Sequence, residues 1–213
     1  MCMIRVEDVC LQIKKKTILS HVTAQFPQGQ IHGLIGRNGS GKTMLMKCIC
    51  GFIRPTQGTI WVDGKQVKHS GGFPPDMGLL IETPGFIPYY SGVHNLKLLA
   101  SINRKITSAQ VKEAMVTVGL DPNHDKPVRQ YSLGMRQRLG IAQAIMEQPR
   151  LLILDEPMNG LDKQGVAEMR ALLLSLGQAG VTILLSSHNS EDIQTLCSSV
   201  WEMDRGEIHP LQD

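Results

Sequence analysis

The chain has 213 residues, which suits one globular domain or one domain that carries an inserted subdomain. Apolar residues make up 42% of it and charged residues 19%, so a sizeable hydrophobic core can form. The formal net charge of +3, without a basic stripe, is too small to indicate nucleic acid, and no such partner is expected.

Cysteine usage and the apolar runs indicate the compartment. The cysteines are odd in number and form no metal-ligand pattern: Cys2, Cys10, Cys48, Cys50 and Cys197. Without a signal peptide, this favours reduced thiols in the cytosol. The longest apolar runs, such as VTILL at residues 181–185, are far shorter than a membrane span. We therefore expect a cytoplasmic chain, and any membrane-spanning helices must come from another polypeptide.

The first part of the chain reads as short strands punctuated by Gly and Pro: MIRVEDV, TILSHVTAQF, QIHGLIG and GTIWVDG. Between the third and the fourth lies GKTMLMKCICGF, a helix-like run that Gly51 closes. Residues 70–90 are rich in Gly and Pro, which predicts a long surface loop with little regular structure.

Residues 93–147 have a helical pattern, and Thr107 with Gln110 predicts a capping box. Strands then return. RLLILDEP precedes a helix over about residues 163–176, VTILLSSH precedes a short helix capped by Asn189 or Ser190, and VWEMDRGEI predicts a terminal hairpin. Apolar strands that alternate with helices predict a parallel sheet with helices on both faces. We therefore predict a core of residues 1–90 and 149–213, with an inserted helical subdomain at residues 91–148.

The strand QIHGLI leads into a loop that matches a P-loop and then into a helix, as the motif requires. The matching residues are Gly36, Arg37, Asn38, Gly39, Ser40, Gly41, Lys42 and Thr43. The glycines let backbone N–H groups wrap phosphates at a helix N-terminus, Lys42 neutralises phosphate charge, and the Thr43 hydroxyl can ligate Mg²⁺. The alternative is a glycine-rich turn that matches by chance.

Two acidic residues follow the apolar strand LLIL. Asp155 is placed to hold Mg²⁺, and Glu156 to orient or deprotonate an attacking water as a general base. Alone, the pair would read as a surface turn before Pro157; beside a P-loop it indicates catalysis. His188 ends the next strand, where it is either structural or faces the same phosphates, since the carboxyl ends of parallel strands share one crevice.

YSLGMRQR begins another helix with Ser132, which predicts either an N-cap or a second phosphate-binding helix terminus. Together the motifs resemble the ATP-binding subunits of ABC transporters over essentially the whole chain. GRNGSGKT and LLILDEP are similar to the two nucleotide motifs of that family. NGLD at residues 159–162 is similar to its D-loop, and SSH is similar to the segment with its switch histidine. YSLGM is similar to its signature, Leu-Ser-Gly-Gly-Gln. The resemblance implies an α/β P-loop NTPase fold with an N-terminal antiparallel β subdomain and an inserted helical subdomain.

The resemblance also implies an ATPase that uses ATP and Mg²⁺ and works as a homodimer or with a paired ATPase subunit. The signature of one subunit would cover the ATP held by the other. Ser132, Gly134 and the N–H groups of the following helix would then contact a γ-phosphate across a head-to-tail dimer, and Asp162 would lie at the dimer seam.

Three sites depart from the family pattern. Glu82 stands where the family has a glutamine; an acid there can still reach Mg²⁺ or its water, but cannot donate an amide hydrogen bond. Ile13 replaces the aromatic residue that stacks on adenine, so adenine would meet an aliphatic surface. Leu133 and Met135 replace a glycine and a glutamine of the signature, which would lower the hydrolysis rate, and Leu133 would pack rather than bind.

The resemblance implies a permease in the membrane and a peripheral position at the inner face of the cell membrane. Residues 71–93 would transmit motion to that permease, with GFIPYYSG as a partly aromatic docking surface, or would simply pack as a loop. LLIETP with YSLGM resembles the branch that serves bacitracin-type and lantibiotic-type self-protection exporters. Because Asp213 follows the last hairpin closely, no regulatory C-terminal domain is expected.

Two other functions compete with transport. A soluble ABC-type regulator of ribosomes or DNA would usually carry two cassettes or coiled-coil arms, and this chain has one cassette and no heptads. A small-molecule kinase built on the P-loop would leave YSLGM, NGLD and His188 unexplained.

Overall fold

The computed structural model describes residues 2–68 and 73–211. Its strands are β1 (Cys2–Ile13), β2 (Lys16–Pro27), β3 (Ile31–Ile35), β4 (Gln57–Val62), β5 (Lys65–Gln66), β6 (Met77–Leu80), β7 (Leu151–Asp155), β8 (Thr182–Ser186), β9 (Ser199–Asp204) and β10 (Glu207–Pro210). Its helices are α1 (Lys42–Ile49), α2 (Gly92–Asn103), α3 (Ser108–Thr117), α4 (Leu133–Ile145), α5 (Lys163–Gln178) and α6 (Ser190–Leu196), with a 3₁₀ turn at Val128–Gln130.

The strands form two sheets. A four-stranded antiparallel sheet has the order β2-β1-β4-β5, and a six-stranded sheet has the order β10-β9-β3-β8-β7-β6. In the second sheet the strands from β9 to β6 are parallel, and β10 pairs antiparallel with β9. The predicted α/β fold with an N-terminal antiparallel β subdomain is confirmed.

The parallel sheet is covered on both faces, as predicted from its apolar strands. On β7, Leu152 and Leu154 join a core that includes Leu139 of α4 and Leu173 of α5. The alternate residues of the strand, such as Ile153, join a second core with α1, β1 and β2. Strands buried on both faces are apolar throughout, because successive side chains point to opposite faces.

The predicted short strands at the N-terminus are wrong in length. β1 and β2 each run for 12 residues. Their register shifts between Val6 and Val9, and Asp8 and His21 have left-handed φ values of 48°. Polar residues at these bulges interrupt the alternation of apolar residues without ending the strands.

The predicted loop over residues 70–90 is also wrong in part, because β6 lies inside it and pairs with β7 at the edge of the parallel sheet. Residues 69–72, where the predicted loop begins, lie outside the described residues. The reason for a strand here is tertiary packing. A Cβ at Gly78 would overlap the backbone oxygen of Ala144, so the glycine lets α4 lie directly against the strand.

The helical segment has the predicted capping box, formed by Thr107 and Gln110 at the start of α3. The short helix α6 is capped by Asn189, and β9 with β10 forms the predicted hairpin. The division of the chain into two subdomains stays a prediction: a core of residues 1–90 and 149–213, and an inserted helical subdomain of residues 91–148. Across residues 2–68 and 73–211, no helix combines the length and the apolar character needed to cross a bilayer.

Candidate active site

The P-loop connects β3 to α1, as predicted. Gly36 and Gly41 have φ values of 139° and 114°, which L side chains rarely adopt. A Cβ at Gly36 would also overlap the backbone oxygen of Met203. The N-cap of α1 is Gly41, and no side chain among the described residues caps the helix there. Its first N–H groups are therefore available to an anion at the positive end of the helix.

Lys42 lies across this loop. Its Nζ donates to the carbonyl oxygens of Gly36 at 2.7 Å and of Arg37 at 3.2 Å, and the residue is 7% exposed. These weak carbonyl acceptors hold the ammonium where a phosphate could replace them. The hydroxyl of Ser40 is buried and has no hydrogen-bond partner among the described residues. A bound ligand could form the missing hydrogen bond.

Asp155 ends β7 beside the loop. The Thr43 hydroxyl donates to its Oδ2 at 2.7 Å, and the Ser186 hydroxyl donates to its Oδ1 at 2.6 Å. A carboxylate and a threonine hydroxyl at one point form an oxygen donor set of the kind that Mg²⁺ prefers, so these residues fit the ion. Sequence reasoning missed Ser186. The signal for it was available, because parallel register places it opposite Asp155 on the next strand.

Glu156 and His188 meet in the structure. The Nδ1 of His188 lies 2.8 Å from Oε2 of Glu156, within hydrogen-bonding distance. The Glu156 side chain is 22% exposed, and the His188 side chain is 69% exposed. The backbone of Glu156 has a left-handed φ of 50°, and its N–H donates to the Ser186 hydroxyl at 2.9 Å. The two predicted catalytic residues thus face each other at the carboxyl edge of β7 and β8.

A buried ion pair supports the loop that carries His188. The Ser187 hydroxyl donates to Asp192 of α6 at 2.8 Å, and Asp192 is 2% exposed. Arg170 of α5 donates to the same carboxylate through Nε at 2.8 Å and also contacts Glu191. The hydrogen bonds that the guanidinium donates to Glu191 and Asp192 raise its pKa above the ordinary value. Sequence reasoning missed this network, because its residues are far apart in the chain.

The start of α4 packs against the D-loop of the same chain. The Ser132 hydroxyl accepts from the Met135 N–H at 3.1 Å and is therefore an N-cap here. A Cβ at Gly134 would lie 2.9 Å from the Gly160 oxygen, so the two backbones are in close contact. Asp162 caps α5 by accepting from the Gly165 N–H at 2.8 Å. The roles of Ser132 and Gly134 toward a nucleotide, and of Asp162 at a dimer seam, stay predictions.

Glu82 contacts α1 in the structure, and its role toward Mg²⁺ stays a prediction. Its carboxylate accepts from Nζ of Lys47 on α1 at 2.6 Å. Ile13 is not among the residues that line the cleft between the P-loop and β2. The cleft encloses about 430 Å³ and is lined by Lys16, Ile18, Asn38, Gly39, Gly41, Lys42, Thr43, Met44, Asp155 and Glu156. The aliphatic residue at this cleft is therefore Ile18 of β2, which sequence reasoning missed.

A strand, a P-loop, a helix and an acidic residue at the end of a neighbouring strand define a P-loop nucleotide-binding protein. The family model described as "ABC transporter" matches residues 19–159. The chain belongs to this family and is an ATP-binding, ATP-hydrolysing subunit of an ABC transporter. Cassettes of this family dimerise and work with membrane subunits.

Two relatives and one solved structure illustrate the similarity. The bacitracin transport ATP-binding protein BcrA of Enterococcus faecalis is 40% identical over 96% of this chain and 67% of its own length. The lantibiotic transport ATP-binding protein SrtF of Streptococcus pyogenes is 34% identical over 97% of this chain and 89% of its own. The dimeric structure of MJ0796, a bacterial ABC transporter cassette, aligns with a TM-score of 0.88 at 20% identity, over 99% of this chain and 100% of that one. This likeness confirms the fold.

Proposed function

We propose that the chain drives a separate membrane permease that exports a peptide antibiotic and so protects the cell that carries it. The similarity to BcrA and SrtF supports this substrate class, since their names assign them to bacitracin and lantibiotic transport. The protein would work at the inner face of the cell membrane. The observation that supports ATP hydrolysis as the driving step is the cluster of Thr43, Asp155, Glu156 and His188 at the phosphate-binding loop.

The roles in hydrolysis follow from this cluster. N–H groups of residues 36–43 and the Lys42 ammonium bind the β- and γ-phosphates. Glu156 accepts a proton from water while the water oxygen bonds to the γ-phosphorus and the bond to the β–γ bridging oxygen breaks, which releases ADP and phosphate. His188, beside Glu156, orients the water or the γ-phosphate. Bound Mg²⁺, which Thr43 and Asp155 would hold, would neutralise phosphate charge.

Two cassettes would complete each nucleotide site. The N-terminus of α4 presents Ser132 and Gly134, and these would meet the γ-phosphate held by the P-loop of the other cassette. Asp162, which caps the adjacent α5, would lie at the seam between the cassettes. A single chain would then hold one half of each site and hydrolyse ATP slowly.

The segment GFIPYYSG supports a docking role, although part of the predicted docking region, residues 71–72, lies outside the described residues. Asn95 fixes its backbone, accepting from the Ile87 N–H at 2.7 Å and donating to the Ile87 oxygen at 3.1 Å. Phe86 packs on the core, whereas Tyr89 is 73% exposed. A rigid turn that presents Ile87 and Tyr89 offers a permease an apolar contact at low entropic cost.

The test is affinity capture of the tagged chain from mild-detergent extracts of its own cells, read by mass spectrometry. We expect a polytopic membrane protein to co-purify with the unchanged chain. The double variant Ile87→Ser, Tyr89→Ser should lose it, because the apolar contact is removed.

The matched control is Val116→Ser, which changes an exposed apolar residue on α3 and should keep the membrane protein. Capture of ribosomal proteins or DNA-bound proteins, with no membrane protein, would refute the transporter proposal. It would favour the soluble ABC-type regulator instead.

A further inference from the structure

One buried polar side chain connects the signature helix to Glu156, the proposed general base, of the same chain. Gln137 lies in α4 and is 8% exposed. Its amide Nε2 donates to the carbonyl oxygen of Glu156 at 3.1 Å and to that of Pro157 at 3.0 Å. A buried amide that satisfies two successive carbonyl groups fixes the path of that backbone.

Glu156 needs such support. Its φ of 50° lies in the left-handed region, which a glutamate adopts only when its surroundings impose it. On the amino side, the Ser186 hydroxyl accepts from the Glu156 N–H. On the carboxyl side, Gln137 holds the carbonyl group. The two peptide planes that flank Glu156 are thus both fixed, and with them the direction in which its side chain leaves the backbone.

We propose that Gln137 is a positioning residue for hydrolysis, which holds Glu156 in its left-handed conformation with the carboxylate against His188. This inference rests on the proposed general-base role of Glu156. Gln137 touches neither nucleotide nor water in this scheme and acts only through the backbone of Glu156.

The position of Gln137 gives this contact a second consequence. The N-cap of α4, Ser132, lies about one and a half turns before Gln137, and a helix is stiff over that length. If the N-terminus of α4 moved on engaging the nucleotide of another cassette, Gln137 would carry that movement to Glu156. Engagement at one site would thereby adjust the proposed general base of the other.

The experiment compares Gln137→Met with the unchanged chain. Methionine has a similar length but no amide donors. We expect kcat to fall by about 10-fold to 100-fold, because a small misplacement of a catalytic group has effects of this size. The dissociation constant for ATP should change by less than about 2-fold, since the P-loop is untouched. Gln143→Met, on the same helix, is the control and should keep kcat.

A second variant and a double variant separate positioning from a merely structural role. Gln137→Leu also lacks donors and buries no charge, so it should lose kcat to a similar extent and provides the test if the methionine variant fails to fold. In a Glu156→Gln background, Gln137→Met should reduce the residual single-turnover rate by less than about 2-fold, because both changes act on the same group.

The outcomes are distinct. If Glu156→Gln hydrolyses ATP at the normal rate, the general-base assignment fails and the positioning role fails with it. If Glu156→Gln loses turnover but the Gln137 variants keep kcat, only the positioning role is overturned. It is likewise overturned if ATP affinity falls as much as kcat, or if the two losses multiply in the double variant.

Discussion

At the scale of single residues, the Ser186 hydroxyl organises the candidate active site. It donates to Asp155 and accepts from the Glu156 N–H, so one oxygen sets the positions of both acidic residues. A hydroxyl can do this because it is a donor and an acceptor at once. The side chain of Asp155 and the backbone of Glu156 are thus held in a fixed relation to each other.

A buried histidine in the same sheet makes stability depend on pH. His32 of β3 is fully buried; its Nε2 lies 2.8 Å from the Pro27 oxygen and its Nδ1 lies 2.7 Å from the Ser199 hydroxyl. Since Nε2 must donate to the carbonyl, Nδ1 is left to accept from Ser199. Burial lowers the pKa of the ring, and the hydrogen bond to Pro27 opposes this only partly.

The direction of the pH effect follows from this pKa shift. The unfolded chain binds a proton at His32 near pH 6.5, whereas the folded chain binds it only at lower pH. Between the folded and the unfolded pKa of His32, unfolding takes up as much as about one proton at this site, so the free energy of unfolding falls as pH falls. The stability that comes with keeping the buried ring neutral is fully present above the unfolded pKa, and it is lost as the pH falls toward the folded pKa.

We therefore expect His32→Gln to lose part of this pH dependence. A glutamine can replace both hydrogen bonds but does not titrate. Urea denaturation at about pH 7.5 and about pH 5.5 should show a smaller decrease in the free energy of unfolding for the variant than for the unchanged chain. Equal decreases in the two proteins would contradict the assignment.

At the scale of elements, the contact between β6 and α4 holds the helical segment on the sheet. Gly78 makes the contact possible, because its missing side chain leaves room for the backbone of Ala144. Gly78→Ala should therefore lower the free energy of unfolding by about 1–3 kcal/mol, the range for an overpacked core.

The control for Gly78→Ala is Gly85→Ala, in the same segment, where an added Cβ would meet open space. Chemical denaturation of both variants is the measurement. A Gly78 variant as stable as the Gly85 variant would show that α4 does not depend on close approach to β6.

The elements differ in how far the sequence predicted them. The P-loop and the strand ending at Asp155 were predictable, since each motif is contiguous and its chemistry requires particular residue types. β6 was not, because MGLL lies between prolines and becomes a strand only by pairing with β7 and packing under α4. The contact of Gln137 with Glu156 joins residues 19 positions apart, and no local pattern announces it.

At the scale of the whole molecule, the candidate catalytic groups and the signature lie on different elements of one chain. The chain's own P-loop is surrounded by Thr43, Asp155, Glu156 and His188. Ser132, by contrast, caps the start of α4. In our account, Ser132 contacts the nucleotide of a second cassette. The central claim is therefore that two cassettes close head to tail around ATP. Glu156→Gln should trap this state, because it removes the group needed for turnover and leaves the groups that bind ATP.

The most direct test measures the mass of Glu156→Gln in solution by size-exclusion chromatography with light scattering. We expect a monomer without nucleotide and a dimer with ATP and Mg²⁺. The further change Lys42→Ala should abolish the dimer, because it removes the cation that holds the phosphates. If Glu156→Gln binds ATP but stays monomeric at saturating nucleotide, the head-to-tail closure proposed for this chain is wrong.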